Sequence, residues 1–252
     1  MNAPKVVTAC VLIIGNEVLS GRTEDANLHW LAGRLGEVGV RLAEARVIPD
    51  IHETIAATVN ETRAAFDYVI TTGGIGPTHD DITTEAVATA FGVEVERNPE
   101  AVAILEDAMP KDRLNAARMR MAEMPVGATL VHNPVSRAPG FRLGNVFVLA
   151  GVPSIMRAMF DSFRHELVGG DPMLSATVVC NLAEGDIAAG LEAIQNNHPG
   201  VDIGSYPYFR AGKYGVSLVV RCTGAGELDQ VSEEVRDMIR GLGAEPLMEE
   251  QA

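Results

Sequence analysis

The feature that most constrains the fold is an alternation of strand-like and helix-like segments along the first two thirds of the chain. Continuous apolar runs at 6–14 and 68–72 are typical of strands covered on both faces, and 41–48 predicts another strand. Between these runs, apolar residues recur at helical spacing. Parallel strands require crossover helices of this kind. The pattern therefore predicts an α/β fold, with a mostly parallel sheet in a three-layer domain over residues 1–168.

Further elements are predicted within the first domain, and a second, smaller domain follows it. Within 1–168 we predict further helices and strands at 83–91 (helix), 98–108 (helix), 111–122 (helix), 128–133 (strand), 145–150 (strand) and 154–167 (helix). A Gly-Gly-Asp-Pro cluster at 169–172 is the predicted linker. After it comes a small α+β domain at 173–248 with a βαββα order, predicted as 176–182, 185–196, 201–206, 214–222 and 226–241, with a last short strand at 243–248.

Charge and composition exclude several classes of protein. Of the 252 residues, 47% are hydrophobic and 21% are charged, which argues against a disordered chain. The formal net charge of −14 disfavours a nucleic acid partner, because no basic run is present to offset it. The three cysteines lie in apolar runs, as expected of reduced thiols in a cytoplasmic protein. The N-terminal apolar run is too short to span a bilayer, so we predict no membrane partner.

A glycine-rich loop, TTGGIGPTHDD at 71–81, follows the predicted strand 68–72. Ligands of open α/β sheets collect at the carboxyl ends of strands, where glycines allow backbone N–H groups to approach a phosphate. Gly73, Gly74 and Gly76 are therefore candidates for an anion cradle, although a tight turn explains the glycines equally well. The spacing is neither GxGxxG nor a Walker loop. Two adjacent carboxylates, Asp80 and Asp81, are unfavourable beside a phosphate unless a cation bridges them or one of them serves as a base or an orienting group. Alternatively, one of them caps the following helix.

Two more strand ends carry polar residues. The loop after strand 6–14 contains Glu17, a candidate for a metal or hydroxyl, and Arg22, a candidate for a phosphate. In the same loop Asp25 could bind a ligand or simply cap the next helix. Asp50 follows strand 41–48 and adds a carboxylate. If the three strands are neighbours, the three loops form one pocket.

Four motifs resemble those of one known family. They are IGNEVLSGRTEDAN at 14–27, TTGGIGPTHDDIT at 71–83, NPVSRAPGF at 133–141 and LAGVPSIMRAMF at 149–160. Together, and in this order, they resemble the molybdopterin-binding domain family, most closely its competence/damage-inducible protein A (CinA) branch. The resemblance adds Asn27, Thr78, Asn133 and Gly140 to the predicted ligand-binding residues. Ile155 stands where that branch usually has glutamate, so a carboxylate is missing. We expect no amide-hydrolysing domain of the kind that often follows in that branch.

The resemblance implies three alternative functions. The first is a metal-dependent pyrophosphohydrolase of ADP-ribose-like or dinucleotide substrates, with Asp81 and Asp50 as catalytic residues. Asp80, Asp81 and Asp50 would hold magnesium, manganese or cobalt. The second is molybdopterin binding and adenylyl transfer in molybdenum cofactor biosynthesis, and the third is a non-catalytic protein that binds a nucleotide or pterin phosphate. The family also suggests a homo-oligomer, a dimer or trimer, for which methionines in the predicted helix 111–122 and its flanks offer a contact surface.

Overall fold

A computed structural model describes residues 5–210 and 213–247. These residues divide into two compact units, one spanning Lys5–Gly170 and the other beginning at Asp171. Each unit has its own hydrophobic core. No helix in these described ranges has both the length and the apolar character needed to cross a bilayer.

The unit Lys5–Gly170 contains eight strands and seven α-helices. The strands are β1 (Val7–Ile14), β2 (Val40–Ile48), β3 (Tyr68–Thr72), β4 (Val95–Arg97), β5 (Glu123–Pro125), β6 (Thr129–Val131), β7 (Gly140–Leu143) and β8 (Val146–Leu149). The helices are α1 (Asn16–Leu19), α2 (Asn27–Glu37), α3 (His52–Ala65), α4 (Thr83–Phe91), α5 (Pro99–Ala108), α6 (Ala116–Met119) and α7 (Pro153–Phe163).

The main sheet of this unit has the strand order β2-β1-β3-β8-β7-β6. Strands β2, β1, β3 and β8 are parallel, whereas β7 and β6 extend the edge as antiparallel strands. Alternate residues of β1 enter two cores on opposite faces, one shared with α3, α4 and α5 and the other with α2 and α7. The mostly parallel α/β fold with three layers is thus confirmed. Because β1 lies between β2 and β3, the carboxyl ends of all three strands meet at one edge.

The predicted helix at 111–122 is wrong. The segment forms a turn at Lys111–Arg113, the short helix α6 and a second turn at Arg120–Ala122. Asn115 breaks the periodicity because its Oδ1 accepts the Arg118 N–H at 3.0 Å and so caps a new helix start. The methionines do not form an exposed stripe, since Met124 is fully buried and Met121 packs against the same core. The homo-oligomer therefore stays a prediction, without an exposed methionine stripe to support it. Sequence analysis also missed the two-stranded sheet β4–β5.

The second unit contains β9 (Leu174–Cys180), α8 (Glu184–Asn197), β10 (Asp202–Arg210), β11 (Lys213–Cys222) and α9 (Ala225–Gly241). Its antiparallel sheet has the order β10-β11-β9, and both helices contribute to its core. The βαββα order is confirmed. Of the last strand predicted at 243–248, Leu247 alone makes a bridge, to Val179, and residue 248 lies outside the described residues.

Candidate functional site

Two positions in the loop after β3 have a backbone conformation and a close packing that only glycine accommodates. Gly73 has φ +102° and Gly74 has φ +69°, both in the left-handed region. A Cβ on Gly73 would lie 2.2 Å from the Ile14 carbonyl oxygen, and one on Gly74 would lie 2.1 Å from Thr83 Oγ1. The loop after β3 thus packs directly on the end of β1 and on the start of α4.

Three successive backbone N–H groups in this loop have no acceptor. Among the described residues, the N–H groups of Gly74, Ile75 and Gly76 make no hydrogen bond. The Gly73 N–H differs from the prediction, because it donates to the Leu149 carbonyl oxygen at 3.1 Å. Backbone amides without protein acceptors at the carboxyl end of a parallel strand can donate to an anion. We call Gly74–Gly76 the anion cradle.

Asp81 fixes the rest of the loop. Its Oδ2 accepts the Thr78 N–H at 2.8 Å and the Thr78 hydroxyl at 2.5 Å, while Oδ1 has no described partner. The carboxylate also lies against Gly76, since a Cβ there would be 2.6 Å from Asp81 Oδ2. Asp80 is exposed instead, with His79 beside it.

The ends of β1 and β2 bring further predicted residues to this edge. Asp50 Oδ2 accepts the Asn16 N–H at 2.7 Å and so ties the loop after β2 to the loop after β1. The Glu17 carboxylate folds back against Gly15. Arg22 is exposed and has no hydrogen-bond or ion-pair partner among the described residues, so its guanidinium is available to an anion. Asp25 acts as a cap, because its Oδ2 accepts the Leu28 N–H at 2.9 Å.

Asn27 connects the cradle to the loop after β8. It is 4% exposed, and its Nδ2 donates to the Gly151 carbonyl oxygen at 2.8 Å. Gly151 in turn packs on Gly73, where a Cβ would lie 3.3 Å from the Gly73 Cα. Asn27 Oδ1 and Thr72 Oγ1 are both buried without a described hydrogen-bond partner. Buried polar atoms without partners are rare in proteins, so these atoms favour a polar ligand or ordered water at this edge.

Two residues predicted to bind ligand have structural roles. The Asn133 side chain makes its hydrogen bonds within its own loop. Its Nδ2 donates to Ser136 Oγ and to the Ala138 carbonyl oxygen, and its Oδ1 accepts two backbone N–H groups. Gly140 is needed for packing, since a Cβ there would lie 2.2 Å from the Val148 carbonyl oxygen. The sequence carried a signal for the first role, because Asn before Pro often begins a side-chain turn.

The predicted metal ligands do not form a complete site. Within the described ranges, no three His, Cys, Asp or Glu side chains gather in a group that could hold a metal ion. One oxygen of Asp50 and one of Asp81 are committed to backbone N–H groups. The residues therefore fit only a cation such as magnesium that takes one or two carboxylates and completes its shell with water and substrate phosphates.

An acidic cleft that sequence analysis did not find lies beside the cradle. The helix α4 and the segment 120–124 form two of its sides, and Arg120 and Glu85 are among its lining residues. Arg120 bridges distant parts of the chain, donating to the Thr78 carbonyl oxygen at 2.7 Å and to the Asp81 carbonyl oxygen at 3.2 Å. No local signal predicts this contact, because about forty residues separate the partners.

The fold and this edge define a class of α/β domains in which glycine-rich loops meet at the carboxyl ends of parallel strands. Residues 10–169 match the family described as "Probable molybdopterin binding domain", and the chain belongs to that family. Residues 172–245 match the family described as "FAD synthase, middle domain".

Three similar proteins illustrate the relationship. A protein of Pyrobaculum calidifontis is 36% identical over 211 residues, which cover 79% of this chain and 80% of that protein. A "Probable FAD synthase" of Caenorhabditis elegans is 30% identical over 264 residues, covering 94% of this chain but only 51% of that protein. The crystal structure of the protein CinA, with unknown function, from Thermoplasma acidophilum has a TM-score of 0.59 and 30% identity. That match covers 63% of this chain and 98% of that one. The chain is therefore a CinA-like molybdopterin-binding-domain protein.

Proposed function

We propose that this chain is a metal-dependent pyrophosphohydrolase that acts on an ADP-ribose-like or dinucleotide substrate at the anion cradle. The observation that carries the proposal is the run of three N–H groups, Gly74–Gly76, that have no acceptor among the described residues. A pyrophosphate offers oxygens whose number and negative charge suit three N–H donors. Arg22 is free to neutralise the second phosphate, since it pairs with no described residue.

The chemistry requires stabilisation of charge on the phosphate oxygens and a group that accepts a proton from the attacking water. Preorganised N–H donors supply the first without reorganisation during the reaction. The Asp81 carboxylate is held by Thr78 through Oδ2, which leaves Oδ1 to accept the proton. When bound, a divalent cation such as magnesium, manganese or cobalt would neutralise phosphate charge and acidify water, and one or two of the carboxylates Asp81, Asp50 and Asp80 would hold it.

A second candidate is binding of molybdopterin, with adenylyl transfer in cofactor biosynthesis. The family description favours it. A pterin phosphate would use the same cradle, so the two candidates differ in the reaction and in the ring that the site accepts. A non-catalytic protein that binds either ligand is the third possibility.

The test is incubation of the purified chain with ADP-ribose, with FAD, and with molybdopterin plus ATP, each with magnesium, manganese or cobalt. We expect the proposed hydrolase to consume ADP-ribose or FAD, and Asp81→Asn to lower the rate by about a hundredfold or more. Consumption of molybdopterin and ATP alone would favour the second candidate. Binding without turnover of any mixture would favour the third.

The chain offers a matched control for Asp81. Asp67 Oδ2 accepts the N–H and the hydroxyl of Thr8 at 2.8 and 3.0 Å, almost the same pattern, but at the opposite end of β3. Asp67→Asn should therefore disturb local hydrogen bonding to a similar degree and leave the rate unchanged. If Asp81→Asn keeps more than half of the parent rate at saturating metal, the catalytic role of this loop is refuted.

A further inference from the structure

The segment 77–81, which follows the cradle and carries Asp81, is held from outside by one side chain. Within the segment, Asp81 accepts the Thr78 N–H and hydroxyl, and its own N–H donates to the Thr78 carbonyl oxygen at 3.3 Å. Among the residues that the structure describes, Arg120 alone reaches this segment from elsewhere in the chain. Its Nη1 donates to the Thr78 carbonyl oxygen at 2.7 Å and its Nη2 to the Asp81 carbonyl oxygen at 3.2 Å.

The backbone that carries Arg120 is firmly placed. Arg120 begins the turn that leads into β5. Two residues later, Ala122 is fully buried, and its carbonyl oxygen accepts the Asn98 N–H at 2.9 Å. Strand β5 itself pairs with β4. The two-stranded sheet is therefore a fixed support from which the Arg120 side chain reaches the segment 77–81.

The guanidinium is also oriented by a carboxylate on α4. Glu85 Oε1 lies 3.4 Å from Arg120 Nη2, and both side chains are partly exposed. A partly exposed ion pair contributes at most about 1 kcal/mol to stability, so stability alone does not account for the arrangement. A planar guanidinium can reach two carbonyl oxygens at once only in a fixed orientation. Glu85 provides that orientation.

We infer that Arg120 is a positioning residue for the hydrolysis, and that it holds the segment 77–81 so that Asp81 Oδ1 can accept the proton of the attacking water. The inference rests on the proposed function. The bond between Asp81 and Thr78 fixes the carboxylate relative to its own segment, but it does not fix the segment. A displacement of about 1 Å between a base and its proton donor costs about a hundredfold in rate. The anchor that prevents such a displacement is Arg120.

The experiment is steady-state kinetics of the full chain with ADP-ribose and manganese. We expect Arg120→Ala to lower kcat about thirtyfold and to raise KM only several-fold, because the cradle N–H groups remain while the base is displaced. Methylguanidinium, added at millimolar concentration, should restore kcat of Arg120→Ala about tenfold, since it supplies the same two donors. It should not restore Asp81→Asn, which lacks the base itself.

Arg97→Ala is the matched control. Arg97 lies on β4 of the same two-stranded sheet, and its ion pair with Glu123 is exposed, with Nη2 and Oε1 3.1 Å apart. This variant should keep the kcat of the parent and should not respond to methylguanidinium. Thermal melting checks that the variants fold. Arg120→Lys keeps the charge but cannot bridge both carbonyl oxygens, so it should also lose kcat if the alanine variant proves unstable.

Exchange of the Thr78 N–H with water provides a measurement that does not depend on activity. This N–H donates to Asp81 Oδ2 at 2.8 Å, and we expect it to exchange about tenfold faster in Arg120→Ala, because the segment is released. The Thr8 N–H donates to Asp67 Oδ2 at the same distance, at the other end of β3, and its exchange should not change.

The outcomes separate the inference from the proposed function. If the parent hydrolyses ADP-ribose but Arg120→Ala keeps its kcat, or loses it without rescue by methylguanidinium, the positioning role is refuted and the hydrolase stands. Equal exchange of the Thr78 N–H in the two proteins refutes the role as well. If the parent hydrolyses none of the proposed substrates, the proposed function is refuted, and with it the part of Arg120 in the reaction.

Discussion

Replacement of Gly74 by alanine tests whether the cradle loop has the geometry described above. Two penalties act on the new side chain. The left-handed φ of +69° disfavours any residue with a Cβ, and that Cβ would lie 2.1 Å from Thr83 Oγ1. Thr83 Oγ1 donates to the Gly73 carbonyl oxygen at 3.1 Å, so the clash can be relieved only by breaking that bond or moving the backbone.

Gly92 offers a measure of the first penalty alone. It ends α4 with φ +67°, and a Cβ there would meet nothing within 4 Å. We expect Gly92→Ala to lower the free energy of unfolding by about 1 kcal/mol, because the left-handed conformation costs ~1–2 kcal/mol and the stiffer unfolded chain offsets part of it. At Gly74 the lost hydrogen bond adds ~1 kcal/mol and the overpacking ~1–3 kcal/mol. Gly74→Ala should therefore cost ~2–4 kcal/mol more than Gly92→Ala.

The assay is urea unfolding followed by tryptophan fluorescence. The sequence has a single tryptophan, Trp30, which packs edge-to-face on Phe160 with ring centroids 5.5 Å apart. The signal therefore reports on the unit Lys5–Gly170 alone. In the double variant with Thr83→Ala, removal of the hydroxyl should recover part of the loss. If Gly74→Ala is no less stable than Gly92→Ala, the described packing of the loop on α4 is refuted.

Three further outcomes are expected. Burial and the nearby Glu44 raise the pKa of the Cys10 thiol to about 11, so between about pH 9 and pH 11 the folded state keeps a proton that the unfolded state loses. The free energy of unfolding is therefore unaffected by this thiol below about pH 8 and falls by about 2 kcal/mol as pH rises toward 11. In Cys10→Ala the urea midpoint should fall less steeply over that pH range. Arg120→Lys removes the guanidinium that donates to two carbonyl oxygens of the loop, so it should weaken pyrophosphate binding several-fold in calorimetry. Arg97→Lys changes an arginine in a single exposed ion pair and should leave that binding unchanged. Equal effects of the two substitutions would contradict the account. Asn27→Asp replaces the donor to the Gly151 carbonyl oxygen with a carboxylate and should lower the free energy of unfolding at pH 7 by about 2 kcal/mol. An unchanged urea midpoint would contradict the contact.

Much of the fold follows from local signals in the sequence. The apolar runs of β1, β2 and β3 and the glycines after β3 predict the sheet edge, because strand period and left-handed glycine positions depend on near neighbours. The helix prediction for 111–122 is wrong for the opposite reason. Its amphipathic spacing is compatible with a helix, but the Asn115 cap and the burial of Met124 in the α4 side of the core decide its path. Tertiary packing overrides the periodic signal there.

The site is less accessible to sequence reasoning, because its decisive features are contacts between distant residues. Which N–H groups of the loop remain free depends on Leu149, which lies 76 positions after Gly73 and takes the Gly73 N–H. Glu85 gives only the signal of an acid in the first turn of a helix, which is equally typical of a favourable interaction with the helix dipole. Its buried oxygen becomes visible only when α4 and the segment 120–124 come together.

The central claim is that Gly74–Gly76 form an anion cradle, and amide chemical shifts test it most directly. Inorganic pyrophosphate is titrated into isotopically labelled protein and the backbone N–H resonances are followed. We predict the largest shifts at Gly74, Ile75 and Gly76 and a smaller shift at Gly73, whose N–H already donates to Leu149. We predict no shift at Gly127, an exposed glycine in the turn between β5 and β6. If the three cradle resonances stay in place while pyrophosphate binds elsewhere, or if it does not bind, the claim is contradicted.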